Sequence, residues 1–162
     1  MISEYDNIQN PMLGAYILWS FVRGFFLERN ELIPIEELFI VLPMIMKPDI
    51  AELIKSTNRT SGMRTMSDKF MNTNVLRNDL ICELNNDIDK MKELTVVSFA
   101  EAIKAGLISI DKNSNMIYPL EINRRKKETS NIKQMGKNAE KLGQWCSDMS
   151  LVQIEEILKV RF

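Results

Sequence analysis

The apolar positions of this chain follow helical spacings, and the longest apolar run lies near its beginning. This run lies in residues 10–26, NPMLGAYILWSFVRGFF, where from Met12 onward only Ser20, Arg23 and two glycines interrupt the apolar side chains. Asn10 is a favourable N-cap, and Pro11 suits the first position of a helix. A helix that is apolar on nearly all sides must be buried on nearly all sides. We therefore expect a central helix that other segments surround.

A second apolar run, LFIVLPMIM, occupies residues 38–46. Pro43 divides this run, so the sequence predicts a short helix that ends near Leu42 and a kinked continuation. The β-branched pair at residues 40 and 41 keeps a strand open as the alternative. A further helix is expected from residues 47–49, Lys-Pro-Asp, because a proline again stands at its first turn.

Past residue 75, apolar residues recur at spacings of four and three, which predicts one long amphipathic helix. The residues of this stripe are Leu76, Leu80, Leu84, Ile88 and Met91. Asp79, Glu83 and Asp87 form an acidic row on the opposite face. This row is interpreted as a solvated face or as a docking strip for a basic partner.

A separate short helix, Phe99–Ala105, is predicted next. Ser98 and Glu101 match the capping-box pattern at its start, and Gly106 suits its C′ position. Its long polar side chains are only Glu101 and Lys104. Recognition of DNA bases needs Arg, Lys, Asn or Gln on such a helix, so we expect it to pack on protein.

A β-hairpin follows this helix in the predicted order of elements. Two short segments rich in apolar residues, 107–110 and 116–120, are joined by DKNSN, and in a strand the alternate residues of each segment share one face. In the first predicted strand, Ile108 and Ile110 lie on the same face. In the second predicted strand, residues 116, 118 and 120 lie on the same face. A helix followed at once by a hairpin is the closing half of a winged-helix domain.

The last part of the chain is basic and helical. Ser150 and Gln153 form a second capping box, which predicts a final helix. Between Arg124 and Lys141, seven basic residues stand against two acidic ones, a net charge of +5. These candidates for contact with DNA phosphates or with a partner are Arg124, Arg125, Lys126, Lys127, Lys133, Lys137 and Lys141. A solvated helix face is the alternative.

Together these elements predict a single domain over residues 1–162. Its fold class is mainly α with one β-hairpin, a winged-helix-like helical domain around a buried N-terminal helix. The expected parts are an arm (1–9), a helical part (10–97), a helix plus hairpin wing (98–122) and the C-terminal helices (123–162).

Composition narrows the classes of function. The net charge of −1 gives no overall attraction to nucleic acid or to a membrane surface. The absence of histidine removes the commonest general base and the commonest zinc ligand, and no phosphate-binding loop or nucleophile elbow is present. Cys82 and Cys146 are distant in sequence and fit buried, reduced thiols. We expect a cytoplasmic protein with no membrane association, no enzymatic activity, no metal and no cofactor.

Four stretches of the chain resemble one known family. They are NPMLGAYILWSFVRGFF (10–26), PIEELFIVLPMIMKPDIAELI (34–54), EAIKAGLISID (101–111) and AEKLGQWCSDMSLVQIEEILKVRF (139–162). Together they resemble the middle component of ABC three-component systems, the small subunit of Lamassu-type defence against phages and plasmids. The most specific positions are Asn10, Pro11, Gly14, Phe21, Arg23, Leu142, Gly143 and Trp145, for which a structural role is expected.

The resemblance implies a non-catalytic subunit with two kinds of partner. One is a large SMC-like ATPase that senses foreign DNA, and the other is an effector subunit such as a nuclease. The small subunit would bridge the two and restrain the effector, and DNA would be reached through the complex. The alternative function is a free-standing winged-helix transcriptional regulator that binds DNA.

Overall fold

The chain forms a helical domain with one hairpin, which confirms the coarse fold class. The computed structural model describes residues 10–72, 77–123 and 129–162, with the backbone alone described at 70–72 and 77–82. The expected arm, residues 1–9, lies outside the described residues. The elements in chain order are α1 (Pro11–Arg29), α2 (Leu38–Met46), α3 (Pro48–Ser56), α4 (Gly62–Asn72), α5 (Arg77–Lys104), β1 (Ile108–Ile110), β2 (Ile117–Pro119), α6 (Ser130–Cys146) and α7 (Leu151–Leu158).

The expected central helix is confirmed as α1. The Asn10 side-chain oxygen accepts hydrogen bonds from the backbone N–H groups of Met12 (3.0 Å) and Leu13 (3.4 Å), and Pro11 occupies the first turn. α1 packs against α6, α5, α2 and β2. Its side chains Ile17, Leu18, Phe21 and Val22 have no exposed surface. Burial on nearly every side explains why this helix carries so few polar residues.

Glycines let α1 and α6 approach until their backbones touch. A Cβ atom added to Gly24 would lie 2.2 Å from the Glu140 carbonyl oxygen, and one added to Gly143 would lie 2.1 Å from the Phe21 carbonyl oxygen. Each helix thus presents a glycine to the backbone of the other. A third close approach joins α1 to α5, where a Cβ on Gly14 would lie 2.0 Å from the hydroxyl oxygen of Ser98.

The second apolar run is one helix, so the predicted helix end near Leu42 and the strand alternative are both wrong. A short 3-10 turn, Ile35–Glu37, precedes α2, and Pro43 lies inside α2. A proline within a helix removes one backbone hydrogen bond. Most of the residues of α2 are buried, and the burial of this apolar surface offsets that loss. The helix predicted from residues 47–49 is confirmed as α3.

The separate helix Phe99–Ala105 is also wrong, because α5 runs without interruption through Ser98 to Lys104. No glycine or proline interrupts residues 77–105, and Ser98 is fully buried against α1. Gly106 is the first residue able to adopt the left-handed conformation easily (φ 72°). The Gly106 and Leu107 N–H groups donate to the carbonyl oxygens of Ile103 and Ala102, which ends the helix as a Schellman motif.

The predicted hairpin is confirmed, with Ile108 opposite Pro119 and Ile110 opposite Ile117. In β2 the buried residues are Ile117 and Pro119, so the apolar face predicted at residues 116, 118 and 120 is the outer one. Ile33 explains this orientation because it exchanges two backbone hydrogen bonds, both 2.9 Å, with Ile117. Since the helix before the hairpin is not separate, the winged-helix assignment is not confirmed.

The C-terminal helices follow the sequence closely. In α6 the apolar residues Ala139, Leu142 and Trp145 are buried. The capping box of α7 is confirmed, because the Ser150 hydroxyl accepts from the Gln153 N–H and the Gln153 side chain accepts from the Ser150 N–H. Local capping signals are therefore reliable at this end of the chain.

The glycine contacts predict an unusual response to alanine. In an ordinary helix, glycine to alanine stabilises by about 1 kcal/mol. We expect Gly24→Ala and Gly143→Ala to destabilise this protein by about 1–3 kcal/mol or more, because each new methyl group would overlap backbone atoms. Chemical denaturation measures the change, with Lys137→Ala on the exposed face of α6 as the control. Stabilisation by either glycine variant would contradict the packing.

Candidate functional site

Arg23 is the only charged residue within residues 11–27 of α1, and its side chain has two partners. Its Nη1 atom lies 2.9 Å from the Glu140 carboxylate on α6, and its Nε donates to the Ile122 carbonyl oxygen at 2.6 Å. The side chain is only 16% exposed. Arg23 therefore fixes the segment after the hairpin to both α1 and α6.

Two tryptophan side chains also donate hydrogen bonds to backbone carbonyl oxygens of loops. Trp19 Nε1 donates to the Glu121 carbonyl oxygen at 2.7 Å, and Trp145 Nε1 donates to the Arg59 carbonyl oxygen at 2.9 Å. The residues singled out by the family resemblance all contribute to the fold. They cap a helix, allow two helices to approach closely, fill the core, or form hydrogen bonds or ion pairs that hold a loop. They are Asn10, Pro11, Gly14, Phe21, Arg23, Leu142, Gly143 and Trp145.

The basic candidates are not equivalent to one another. Arg124–Lys127 lie outside the described residues. Lys133 and Lys137 are exposed on α6, where they remain candidates for contact with DNA or with a partner. Lys141 is instead turned towards the protein. The structure therefore brings two of the predicted lysines together on one exposed face and separates the third from them.

Lys141 binds the C-terminal end of α3. Its ammonium group donates to the carbonyl oxygens of Ile54 (2.9 Å), Lys55 (3.3 Å) and Thr57 (2.9 Å). Lys69 joins it there, at 3.0 Å from the Ser56 carbonyl oxygen. Burial, and then the nearby Lys69 ammonium, lower the pKa of Lys141. Carbonyl oxygens left free at a helix C-terminus carry partial negative charge, so both lysines stabilise α3.

The acidic row on α5 is also used within the protein. Lys47, between α2 and α3, lies 2.8 Å from the Glu83 carboxylate and 3.0 Å from the Asp87 carboxylate. These contacts raise the pKa of Lys47 although burial acts in the opposite direction. The side chain of Asp79 lies outside the described residues. Two members of the predicted acidic strip thus hold the junction of α2 and α3 against α5.

A wide polar pocket opens before α4, and its charges are balanced. Arg59 pairs with Glu28, and the Arg29 Nε donates to the Asp148 carboxylate at 3.0 Å. Arg64 and Trp145 also line the pocket. Two arginines and two carboxylates line the pocket, so it lacks the surplus positive charge of an anion site.

Glu37 is the most perturbed carboxyl group among the described residues. Its side chain is buried, and its Oε2 has no hydrogen-bond partner. Burial, and then the charge of Glu36, raise the pKa of Glu37 from 4.5 to about 8. The neighbouring Cys146 is a buried free thiol, as expected; burial and then Glu37 raise its pKa. A substrate cannot reach either group, so we interpret both as structural. The Cys82 side chain lies outside the described residues.

Two apolar grooves remain open on the described surface. The methionine groove lies where α2 and α5 meet, and it is lined by Pro43, Met46, Lys47, Pro48, Asp87, Lys90, Met91 and Leu94. The tryptophan groove lies between α1 and the ends of the hairpin, and it is lined by Met12, Ala15, Tyr16, Trp19, Ala105, Leu107, Glu121 and Asn123. The two grooves share no residue. Sequence reasoning missed both, because each forms from segments distant in the chain.

Two kinds of feature are absent from the described residues, a metal-binding cluster and a membrane-spanning helix. Within residues 10–72, 77–123 and 129–162, no group of three or more His, Cys, Asp or Glu residues could hold a metal ion. In the same part of the chain, no helix has both the length and the apolar character needed to cross a membrane.

Comparison with known proteins identifies one family. The family described as ABC-three component (ABC-3C) system Middle Component 3 matches residues 1–162. No curated protein and no solved structure matches the chain significantly. The family therefore covers the whole chain, including the regions that carry both grooves.

The contacts of Lys141 predict a stability effect that Lys137, one turn earlier on α6, should not have. We expect Lys141→Met to destabilise the protein by about 1–3 kcal/mol, because the buried carbonyl oxygens at the end of α3 lose their donor. The same substitution at exposed Lys137 should change stability by no more than about 0.5 kcal/mol. Urea denaturation of both variants tests this. Equal losses of stability in the two variants would show that the hydrogen bonds from Lys141 to the end of α3 do not stabilise the fold.

The perturbed pKa of Glu37 predicts a pH dependence of stability. Since its folded pKa is raised above the unfolded value, the folded state binds the proton more tightly, and stability falls as pH rises from about 4.5 to about 8. Glu37→Gln removes this loss. We expect the variant to gain up to about 1.4 kcal/mol per pH unit relative to the wild type over that interval.

Denaturation at pH 4, 6, 7 and 8 checks this expectation, and the two proteins should be nearly equal at pH 4, below the unfolded pKa of 4.5. Exposed Glu52→Gln, on α3, is the matched control and should show no such trend. A constant difference between the Glu37→Gln variant and the wild type at all four pH values would show that Glu37 keeps an ordinary pKa in the folded protein.

Proposed function

The chain belongs to the ABC-three component system Middle Component 3 family, and from this membership we propose that it is a non-catalytic adaptor subunit. As a middle component it acts with other components of its system. The proposed partners are an SMC-like ATPase and an effector such as a nuclease. The adaptor holds the effector on the ATPase and restrains it until the ATPase senses foreign DNA, as in Lamassu-type defence against phages and plasmids.

The observation that carries the proposal is the presence of two separate apolar grooves. An adaptor needs at least two docking sites, and the methionine groove and the tryptophan groove have no lining residue in common. Met46, Met91 and Leu94 give the first groove flexible apolar side chains, which adapt to a partner helix. In the second groove the Trp19 side chain donates a hydrogen bond to the carbonyl oxygen of Glu121, another lining residue, which links two parts of its wall.

The placement of the charged residues supports an adaptor over a catalyst. Arg23, Lys47 and Lys141 are engaged with carboxylates or carbonyl oxygens of the protein itself. Glu37 and Cys146 are buried away from solvent. The groups with chemical reactivity therefore hold the fold together, and the apolar grooves remain open for binding.

Direct contact with DNA is a second and narrower proposal. It rests on Lys133 and Lys137, which are exposed one turn apart on α6. Phosphate contacts by two lysines release counterions and add little sequence preference. This surface fits DNA held by the whole complex better than a free-standing winged-helix regulator, because the last turns of α5 lack side chains for base recognition.

Separate disruption of the two grooves tests the adaptor function. We expect Met46→Glu to lose one of the two partners and Met12→Glu to lose the other, each by about tenfold or more in affinity, because a charge would be buried on binding. Co-purification of this subunit with the ATPase and the effector of its own system measures both. Val152→Glu, at an apolar residue that is 60% exposed and outside both grooves, is the control.

Circular dichroism of each variant shows that the fold is intact. Retention of both partners by both groove variants would contradict the proposed docking sites. Loss of both partners from a single folded variant would contradict the proposal that each groove binds a different partner. A purified subunit with enzymatic turnover of its own would contradict the non-catalytic role.

A further inference from the structure

The exposed side of α5 carries a stripe whose spacing is the same in both directions. Glu93, Val97, Ala100 and Lys104 stand four, three and four residues apart, which places them on one face of the helix. The midpoint of the stripe lies between Val97 and Ala100. An acid stands at one end, a base at the other end, and two small apolar residues stand between them.

All four residues of this stripe face solvent in the isolated chain. Glu93, Ala100 and Lys104 are exposed, and Val97 is 42% exposed. Val96 and Ile103 extend the apolar surface along one flank, at 53% and 39% exposure. None of these six residues lines the methionine groove or the tryptophan groove. The stripe is therefore an apolar surface that the adaptor function leaves unexplained.

We propose that this stripe is the interface of a two-fold symmetric dimer of the subunit. In a symmetric dimer the same surface patch is used by both copies. An antiparallel pair of α5 helices centred on the midpoint would place Glu93 of each copy opposite Lys104 of the other copy. It would also place Val97 opposite Ala100, whose small side chain allows the helices to approach closely.

Helix geometry supports this register. Glu93 and Lys104 each lie 5.5 residues from the midpoint, or about 8 Å along the helix axis at 1.5 Å per residue. At 100° per residue they lie about 10° on either side of the centre line of the stripe, so each faces its counterpart on the other copy across the two-fold axis. Within one chain, Lys104 makes only a long contact of 3.7 Å with Glu101, so its ammonium group is available to a partner.

The charge pattern of the stripe favours a second copy of this chain as its binding partner. A different protein would need its own matching acid and base, whereas this stripe is complementary to itself. The contact is small, since one helix face of about three turns buries less than the roughly 1,600 Å² of a standard interface. We therefore expect a weak dimer that depends on concentration, with the two sets of grooves related by symmetry.

Charge reversal tests the pairing in the isolated full-length subunit. Sedimentation equilibrium from about 5 to 500 μM should show dimerisation of the wild type. Glu93→Lys and Lys104→Glu should each weaken the dimer by about tenfold or more, because each single variant places two like-charged pairs at the interface. Glu52→Lys and Lys112→Glu make the same charge changes at exposed residues elsewhere and should leave the dimer unchanged.

Recombination of the charges is the decisive arm of the experiment. An equimolar mixture of the Glu93→Lys and Lys104→Glu proteins should regain wild-type dimerisation as a heterodimer, since both pairs across the two-fold axis become opposite in sign. The double variant should likewise dimerise with itself. Monomeric wild-type protein at 500 μM, or single variants that are weakened but not restored by mixing, would overturn the proposal. The adaptor function is tested separately by partner co-purification, so either proposal can fail alone.

Discussion

The contact between the backbones of α1 and α6 is the constraint on which the rest of the structure depends. Gly24 and Gly143 let each helix lie directly against the carbonyl groups of the other, at distances that no side chain permits. Arg23 then reaches Glu140, the residue on which Gly24 rests. The ion pair between Arg23 and Glu140 therefore forms beside the point where the two helices are closest. The backbone contact at Gly24 sets the distance across which this ion pair forms.

The loops are positioned by the same pair of helices. Trp19 and Arg23 extend from α1 to the backbone after the hairpin, and Trp145 extends from α6 to the turn before α4. Lys141, also on α6, holds the end of α3. A change in the distance between α1 and α6 would thus be transmitted to loops at several places. This arrangement suits a subunit whose binding surfaces must keep fixed positions relative to one another.

Sequence reasoning succeeded where the signal and its partner lie within one turn of the chain. Asn10 with Pro11, Ser150 with Gln153, and Gly106 were all located correctly from their neighbours alone. It failed at Ser98, where the same capping-box pattern occurs inside a continuous helix. What decides between the two outcomes is the packing of Ser98 against Gly14 on a distant helix, and the local sequence does not contain that information. The apolar grooves escaped prediction for the same reason.

The charged candidates show what a basic or acidic run can mean in a helical protein. Lys133, Lys137 and Lys141 are equally spaced on α6, yet only Lys141 lies within reach of the carbonyl oxygens that end α3. Lys47 likewise neutralises two carboxylates that looked like an open acidic strip. A charged row in the sequence therefore marks helix ends and helix junctions as readily as partner surfaces. In this protein the two grooves proposed as docking sites are mostly apolar, and Glu93 and Lys104 would pair with each other only across the two-fold axis of the proposed dimer.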